Sequence, residues 1–257
     1  MKFDNISTMN KTHSFTRRDF LAAATAVAAF PSIAAEGPKG PTVVKGSDVF
    51  TRDRSKGTLD RLLAGGHSPV FVDIQDAIAY PSHPEIATAN SLAAEKAKDI
   101  VAFYRAKGIE LTPLLDFSTA HDSWLGEYDR MVSSKPYRKV VRDVIFDAYE
   151  IFGRPKYIHI GFESEDAGEH PKDAQLFVMR QGDPWMRELK WTASLVREAG
   201  AEPWAWFDYP WGIKDFTRAC PTDVVFSNLR PLDPKLKEKL ALVEKAGARV
   251  VRMEVAK

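Results

Sequence analysis

The residues with chemical potential in this chain concentrate in one segment, Tyr157, Ile158, His159, Ile160, Gly161, Phe162, Glu163, Ser164, Glu165 and Asp166. Side chains of an extended strand alternate between faces, so Tyr157, His159, Gly161 and Glu163 share one side while Ile158, Ile160 and Phe162 share the other. The apolar side fits a core, and the three acids follow at the end of the strand. Carboxyl groups gathered at such an end can exchange protons or stabilise developing charge when their surroundings set their pKa values apart. Asp73, Asp116, His121, Asp208, Asn228 and Glu254 are further polar candidates along the chain.

These residues need elements to hold them. Strand-like runs are expected over 70–75, 110–117, 157–163, 202–208, 223–229 and 248–255, with helical patterns over 91–107, 137–152, 185–199 and 234–246. Several helices meet a stop signal before the next strand, as at Gly108, Gly153, Gly200 and Gly247. Repeated strand and helix alternation predicts an α/β fold with a parallel sheet. Asp73, Asp116, Glu163, Asp208, Asn228 and Glu254 each lie near the C-terminal end of a predicted strand, where a (β/α)8 TIM-type barrel builds its active site. The expected inward sets are Thr112, Leu114 and Asp116 on one strand and Trp204, Trp206 and Asp208 on another; Leu111 and Leu115 should face the helices. An open doubly wound sheet is the competing fold, but no Gly-rich nucleotide loop follows a strand. Six strands are recognisable, two short of eight, with a weaker seventh over 43–50 that Gly46 and Asp48 disfavour. The barrel therefore reads as incomplete, either truncated at its C-terminus or completed by another segment or a further copy in a homo-oligomer.

Lys and Arg number 36 against 35 Asp and Glu, a formal charge of +1, so no footprint for nucleic acid is present. Nothing reads as a membrane-binding face. Cys220 is the sole cysteine, which excludes an internal disulfide framework and predicts a small buried side chain. Near the N-terminus, Thr16, Arg17, Arg18, Asp19, Phe20 and Leu21 precede an Ala-rich apolar run and then Ser32, Ala34 and Ala35. This resembles a twin-arginine export signal, with an apolar run shorter than the roughly 20 residues a membrane span needs. The organisation expected is a signal over 1–35, a leader over 36–57 and a barrel domain over 58–257, with a periplasmic or secreted destination.

The stretch from His159 to Glu165 resembles the H-x-G-x-D-E motif of family 20 glycoside hydrolases, the β-N-acetylhexosaminidases. The segment 107–117, followed by His121, resembles that group's strand and His-bearing loop. A closer likeness over about residues 47–230 is to an uncharacterised family of exported bacterial barrel proteins, through blocks such as Ser82, His83, Pro84, Glu85 and His121, Asp122, Ser123, Trp124. The hexosaminidase resemblance implies a substrate-assisted reaction in which the motif's Asp orients the acetamido group and its Glu protonates the leaving oxygen. By register Glu163 takes the Asp position and Ser164 the Glu position. A serine hydroxyl titrates far above neutrality and cannot be that acid, so Glu165 is expected to serve if the loop bulges by one residue.

Three readings follow. The first is a glycoside hydrolase on a β-linked, N-acetylated sugar, with catalytic Glu163, Glu165, Asp208, His121 and Asp116, no cofactor, and a carboxyl separation of about 5–9.5 Å. The second is a non-catalytic carbohydrate-binding barrel, in which Trp124, Trp204, Trp206 and Trp211 stack on sugars while Asp73 and Asn228 make polar contacts. The third is a metal-dependent hydrolase of Asp73, Asp116, His121, Glu163 and Asp208, which lacks an H-x-H or H-x-x-x-H nucleus. Some of these residues have structural alternatives. His159 is expected as a core histidine, Asp116 works at the mouth or caps the following turn, and Trp204 and Trp206 fill the barrel or face a sugar. Trp185 and Trp191, on a predicted helix, are expected to pack.

Overall fold

The computed structural model describes residues 40–50, 56–163, 165, 178–207 and 213–253. Pro38–Lys257 forms a compact unit. The other unit, Met1–Gly37, and with it the expected export signal, lies outside the described residues.

Among the described residues seven strands form one sheet: β1 (Thr42–Lys45), β2 (Val70–Asp73), β3 (Leu111–Leu114), β4 (Tyr157–His159), β5 (Glu202–Trp206), β6 (Val225–Ser227) and β7 (Arg249–Val251). All neighbours are parallel, and spatial order follows chain order. The helices are α1 (Gly46–Val49), α2 (Lys56–Gly65), α3 (Ala94–Ala106), α4 (Lys135–Ile151), α5 (Asp183–Ala199), α6 (Ile213–Ala219) and α7 (Pro234–Lys245). Consecutive parallel strands joined through helices make an incomplete (β/α) barrel. The ideal Cβ position of Gly40 lies 3.9 Å from the Arg252 carbonyl oxygen, so the chain just before β1 runs beside the chain just after β7.

Local sequence accounts for these elements. The α4 helix starts where the Ser134 side chain accepts the Tyr137 N–H, and it buries Tyr137, Val140, Val141, Val144, Ile145, Ala148 and Ile151 at three- and four-residue spacing. The α5 helix ends at Gly200, whose φ of 109° is open to glycine at little steric cost. The period-two pattern of the strands divides the core in two. Leu111, Leu115, Ile158, Ile160 and Phe162 pack on the helix side. Phe71, Leu114, Trp204, Trp206, Val225 and Met253 fill the inside of the curl. Burial of each large side chain contributes about 1.5–3 kcal/mol.

The strands are shorter than the sequence suggests. β4 stops at His159 because Gly161 and Phe162 both take positive φ. The weaker seventh strand exists as β1, and the disfavouring Gly46 and Asp48 belong to the helix after it. Trp185 is fully buried and Trp191 packs under the Arg138 guanidinium, as helix packing predicts. Cys220 is half-buried rather than buried, and burial pushes its thiol up to about 11. Among the described residues no helix is long and apolar enough to cross a membrane.

A candidate acid-base site at the strand ends

After β4 the chain turns sharply. Gly161 has φ of 74° and Phe162 φ of 66°. For a phenylalanine this left-handed conformation costs about 1–2 kcal/mol, and it is held by packing of the ring against Trp185 and the Arg180 guanidinium, with centroid distances of 5.6 and 5.0 Å. The turn carries Glu163 to the strand ends, where its side chain is 18% exposed.

Asp116, just beyond β3, lies against this turn. The ideal Cβ position at Gly161 is 2.7 Å from Asp116 Cγ and 2.8 Å from its Cα, so only a glycine admits the carboxylate. Asp116 Oδ1 accepts the Ser118 N–H at 3.0 Å and the Ser118 hydroxyl at 2.6 Å. The same hydroxyl oxygen accepts the Glu163 N–H at 2.7 Å. Ser118 thus links the β3 end to the β4 end through one oxygen. Burial raises the Asp116 pKa to about 7; the Glu163 charge adds to the rise and the Ser118 hydrogen bonds oppose it.

His121 Nε2 stands 3.1 Å from Glu163 Oε2. That hydrogen bond raises the His121 pKa to about 9 against the effect of burial, with Asp116 and Asp73 adding to it, so the ring is an imidazolium at neutral pH. Asp73, ending β2, accepts from Gln75 Nε2 at 3.4 Å through Oδ2, while Oδ1 is buried without a hydrogen-bond partner. Its pKa is raised by burial and by Glu163, against Gln75 and His121. Three consecutive strand ends therefore contribute Asp73, Asp116, His121 and Glu163 to one electrostatic group. Beside it opens a cleft of about 1130 Å³ lined by Lys45, Asp73, Gln75, Asp76, Asn90 and Ser91, among others.

Other expected residues lie elsewhere. Glu165 is fully buried, its carboxylate bound by the Arg180 guanidinium, the Arg180 N–H at 2.8 Å and the Thr119 N–H at 3.3 Å. It is closed within this buried ion pair instead of joining His121 and Glu163, where a one-residue bulge of the loop was expected to carry it; a carboxylate buried to this extent needs such a partner. Trp124 is 7% exposed, donates from Nε1 to the Asp116 carbonyl at 3.0 Å, and packs between Tyr80 and Phe117. Trp204 donates to Ser227 Oγ at 2.8 Å with Phe71 and Tyr157 at its edges, and Trp206 lies 4.0 Å from His159 between ring centroids. These three rings have no open face to stack on a sugar; they fill the fold. Asn228 is wholly buried and pairs with Met253, accepting its N–H at 2.7 Å and donating to its carbonyl at 3.0 Å. Ser164, Asp166, Asp208, Trp211 and Glu254 lie outside the described residues.

His159 is the core histidine anticipated. Burial holds its pKa well below the usual range, and Nδ1 accepts the Gly161 N–H at 3.1 Å, which puts the proton of the neutral ring on Nε2. Two functional neighbours had no place in the sequence reading. Ser118 had a signal, since Asp followed two residues later by a backbone N–H is the Asx-turn arrangement. Arg180 had none, being fifteen residues from Glu165 in no motif. Among the described residues no three His, Cys, Asp or Glu side chains are arranged to hold a metal ion.

No protein-family profile and no curated protein matches this chain. Solved structures do. A mutant Streptomyces plicatus beta-hexosaminidase in complex with its product GlcNAc matches with a TM-score of 0.62 and 16% identity, over 84% of this chain and 47% of that one. The GH20 beta-N-acetylhexosaminidase of Streptomyces coelicolor gives 0.60 and 16%, over 84% and 48%. The beta-N-acetylhexosaminidase of Bacteroides fragilis gives 0.60 and 11%, over 83% and 49%. The chain shares their barrel fold and spans about half the length of each.

Proposed function

We propose that this barrel is a glycoside hydrolase acting on a β-linked, N-acetylated sugar, with its chemistry at Asp116, His121 and Glu163. The observation that carries this reading is the difference between two adjacent carboxyl groups: Asp116, buried, holds a proton up to about pH 7, while Glu163 is paired with the His121 imidazolium. Two carboxyl groups whose surroundings separate their roles are what cleavage of a glycosidic bond requires. Ser118 occupies Asp116 Oδ1, which leaves Oδ2 to carry the proton to the leaving oxygen. Glu163, held by His121, then positions the substrate or faces the oxocarbenium-like centre. The cleft beside Asp73 receives the sugar. The structural neighbours are β-hexosaminidases, one of them in complex with GlcNAc, which supports an N-acetylated substrate.

Purified protein assayed on aryl β-N-acetylglucosaminides and natural glycans is the test, alongside Asp116→Asn and Glu163→Gln. Loss of a general acid should lower turnover about 100-fold or more. Equal turnover in wild type and both variants would sink the assignment.

A second reading, sugar binding without turnover, is favoured by the closure of Glu165 with Arg180 and by Ser164 at the motif's acid position. It forecasts saturable glycan binding with no hydrolysis by the wild-type protein. The N-terminal pattern at Arg17 and Arg18 supports export by the twin-arginine route. Accumulation of Arg17→Lys/Arg18→Lys protein in the cytoplasm, against wild type in the periplasm, would bear this out.

A further inference from the structure

We propose that Arg180, with Glu165, is a positioning device that holds the ends of β3 and β4 in the register the acid-base group needs. Its catalytic consequence rests on the hydrolase reading; its geometric consequence does not.

The guanidinium touches three residues on two segments. One terminal nitrogen donates to the Phe117 carbonyl at 2.7 Å, just beyond β3. Nε donates to both Glu165 oxygens at 3.0 and 3.1 Å, beyond β4. The planar group also lies over the Phe162 ring at 5.0 Å. Glu165 completes the clip by accepting the Thr119 N–H at 3.3 Å. The two side chains are 3% and 0% exposed, so water does not compete for these contacts.

The gripped positions interleave with the reactive ones. Asp116 and Ser118 flank Phe117, Thr119 follows Ser118, and Phe162 precedes Glu163. A hold on Phe117, Thr119 and Phe162 from behind therefore fixes where Asp116, Ser118 and Glu163 stand in front. It also sustains the positive φ of Phe162, which aims Glu163 toward His121. A lysine could balance the Glu165 charge, but its point-like ammonium cannot serve the planar fork and the ring together.

The readout is the ionisation of His121, which is faced by Glu163, Asp116 and Asp73 and makes no contact with Arg180 in the clip. The full chain, labelled at histidine and assigned with a His121→Gln variant, is titrated by NMR. The variants are Arg180→Lys and the double change Glu165→Gln/Arg180→Met, which removes both buried charges together and so avoids stranding one. Ile145→Val, a fully buried change away from the clip, controls for lost stability. In wild type and Ile145→Val the midpoint stays at about 9. In the clip variants it falls by roughly one unit or more toward the ordinary histidine value, with cooperative unfolding retained, because Glu163 is no longer held against the ring. An unchanged His121 midpoint in a folded clip variant overturns the proposal. Where turnover is measurable, kcat falls about tenfold or more with KM little changed. Absence of turnover in the wild type would remove the hydrolase reading and leave the titration to decide the positioning role.

Discussion

The carboxylate of Asp116 occupies the space into which any side chain at Gly161 would project, with Asp116 Cγ 2.7 Å from the ideal Cβ position. The close approach joins the β3 end to the β4 turn and makes one missing side chain a condition of the site.

Gly161→Ala should therefore be among the most damaging small changes in the protein. The φ of 74° alone costs an alanine about 1–2 kcal/mol, and displacement of Asp116 adds to it, for a total of roughly 2–4 kcal/mol. Urea denaturation measures the loss. A change below about 0.5 kcal/mol would show that the Asp116 approach is dispensable.

Stability should fall as pH rises from about 5 to 9. Burial raises Asp116 to about 7 and Asp122 to about 8, and the Glu163 hydrogen bond raises His121 to about 9, so the folded state keeps protons that the unfolded state releases. Each contribution is complete below the group's unfolded value and is lost as pH rises through its folded value. Asp122→Asn removes one such group and should reduce the total fall in stability between about pH 4 and 8 by up to about 6 kcal/mol. Thermal unfolding across pH in both proteins checks the sign.

Glu163→Gln removes the charge against His121 and leaves a neutral partner 3.1 Å from Nε2 in the wild-type geometry. The His121 midpoint should drop from about 9 toward 6.5, as followed by histidine NMR. A midpoint still near 9 would assign the shift to Asp116 and Asp73 instead.

Ser118→Ala removes two hydrogen bonds at once, the one donated to Asp116 and the one accepted from Glu163 N–H. The Glu163 N–H then loses this partner and Asp116 Oδ1 keeps only the backbone N–H of residue 118, at a cost of about 1–3 kcal/mol. Because the Ser118 bonds hold the Asp116 pKa down, it should move further above 7, detectable by carboxyl-carbon NMR. An unmoved Asp116 would mean that a water replaces the hydroxyl.

Trp206→Ala tests the filling role of the interior aromatics. With 3% of its surface exposed and its ring against His159, it should cost about 3–5 kcal/mol of stability. Guanidinium denaturation measures this; a stable variant with weakened glycan binding would return Trp206 to the sugar face.

Much of the scaffold was legible because its cause is local. Alternating apolar side chains mark β4 and β5, glycine stops mark the helix ends, and the predicted inward Leu114, Trp204 and Trp206 do face the inside of the curl. The motif segment also named Glu163, and the loop after β3 named His121, and these two meet. The roles of Trp124, Trp204, Trp206 and Asn228 were less legible, since an aromatic or amide at a strand end has the same spacing whether it faces a ligand or seals the interior.

The sequence by itself determined that strands and helices alternate, that their C-terminal ends carry Asp73, Asp116 and Glu163, and that a serine follows Glu163 where the resembled motif has its acid. Periodicity and turn chemistry act within a few residues, so they can be read from order alone. The tertiary structure decided which acids meet. Two successive positive φ angles, at Gly161 and Phe162, break the strand alternation, turn Glu163 toward His121 and send Glu165 back to Arg180. Whether a carboxyl group becomes an acid held near neutrality, as Asp116, or half of a sealed ion pair, as Glu165, depends on burial and on charges brought from distant positions, and those are set only when the strands pack side by side.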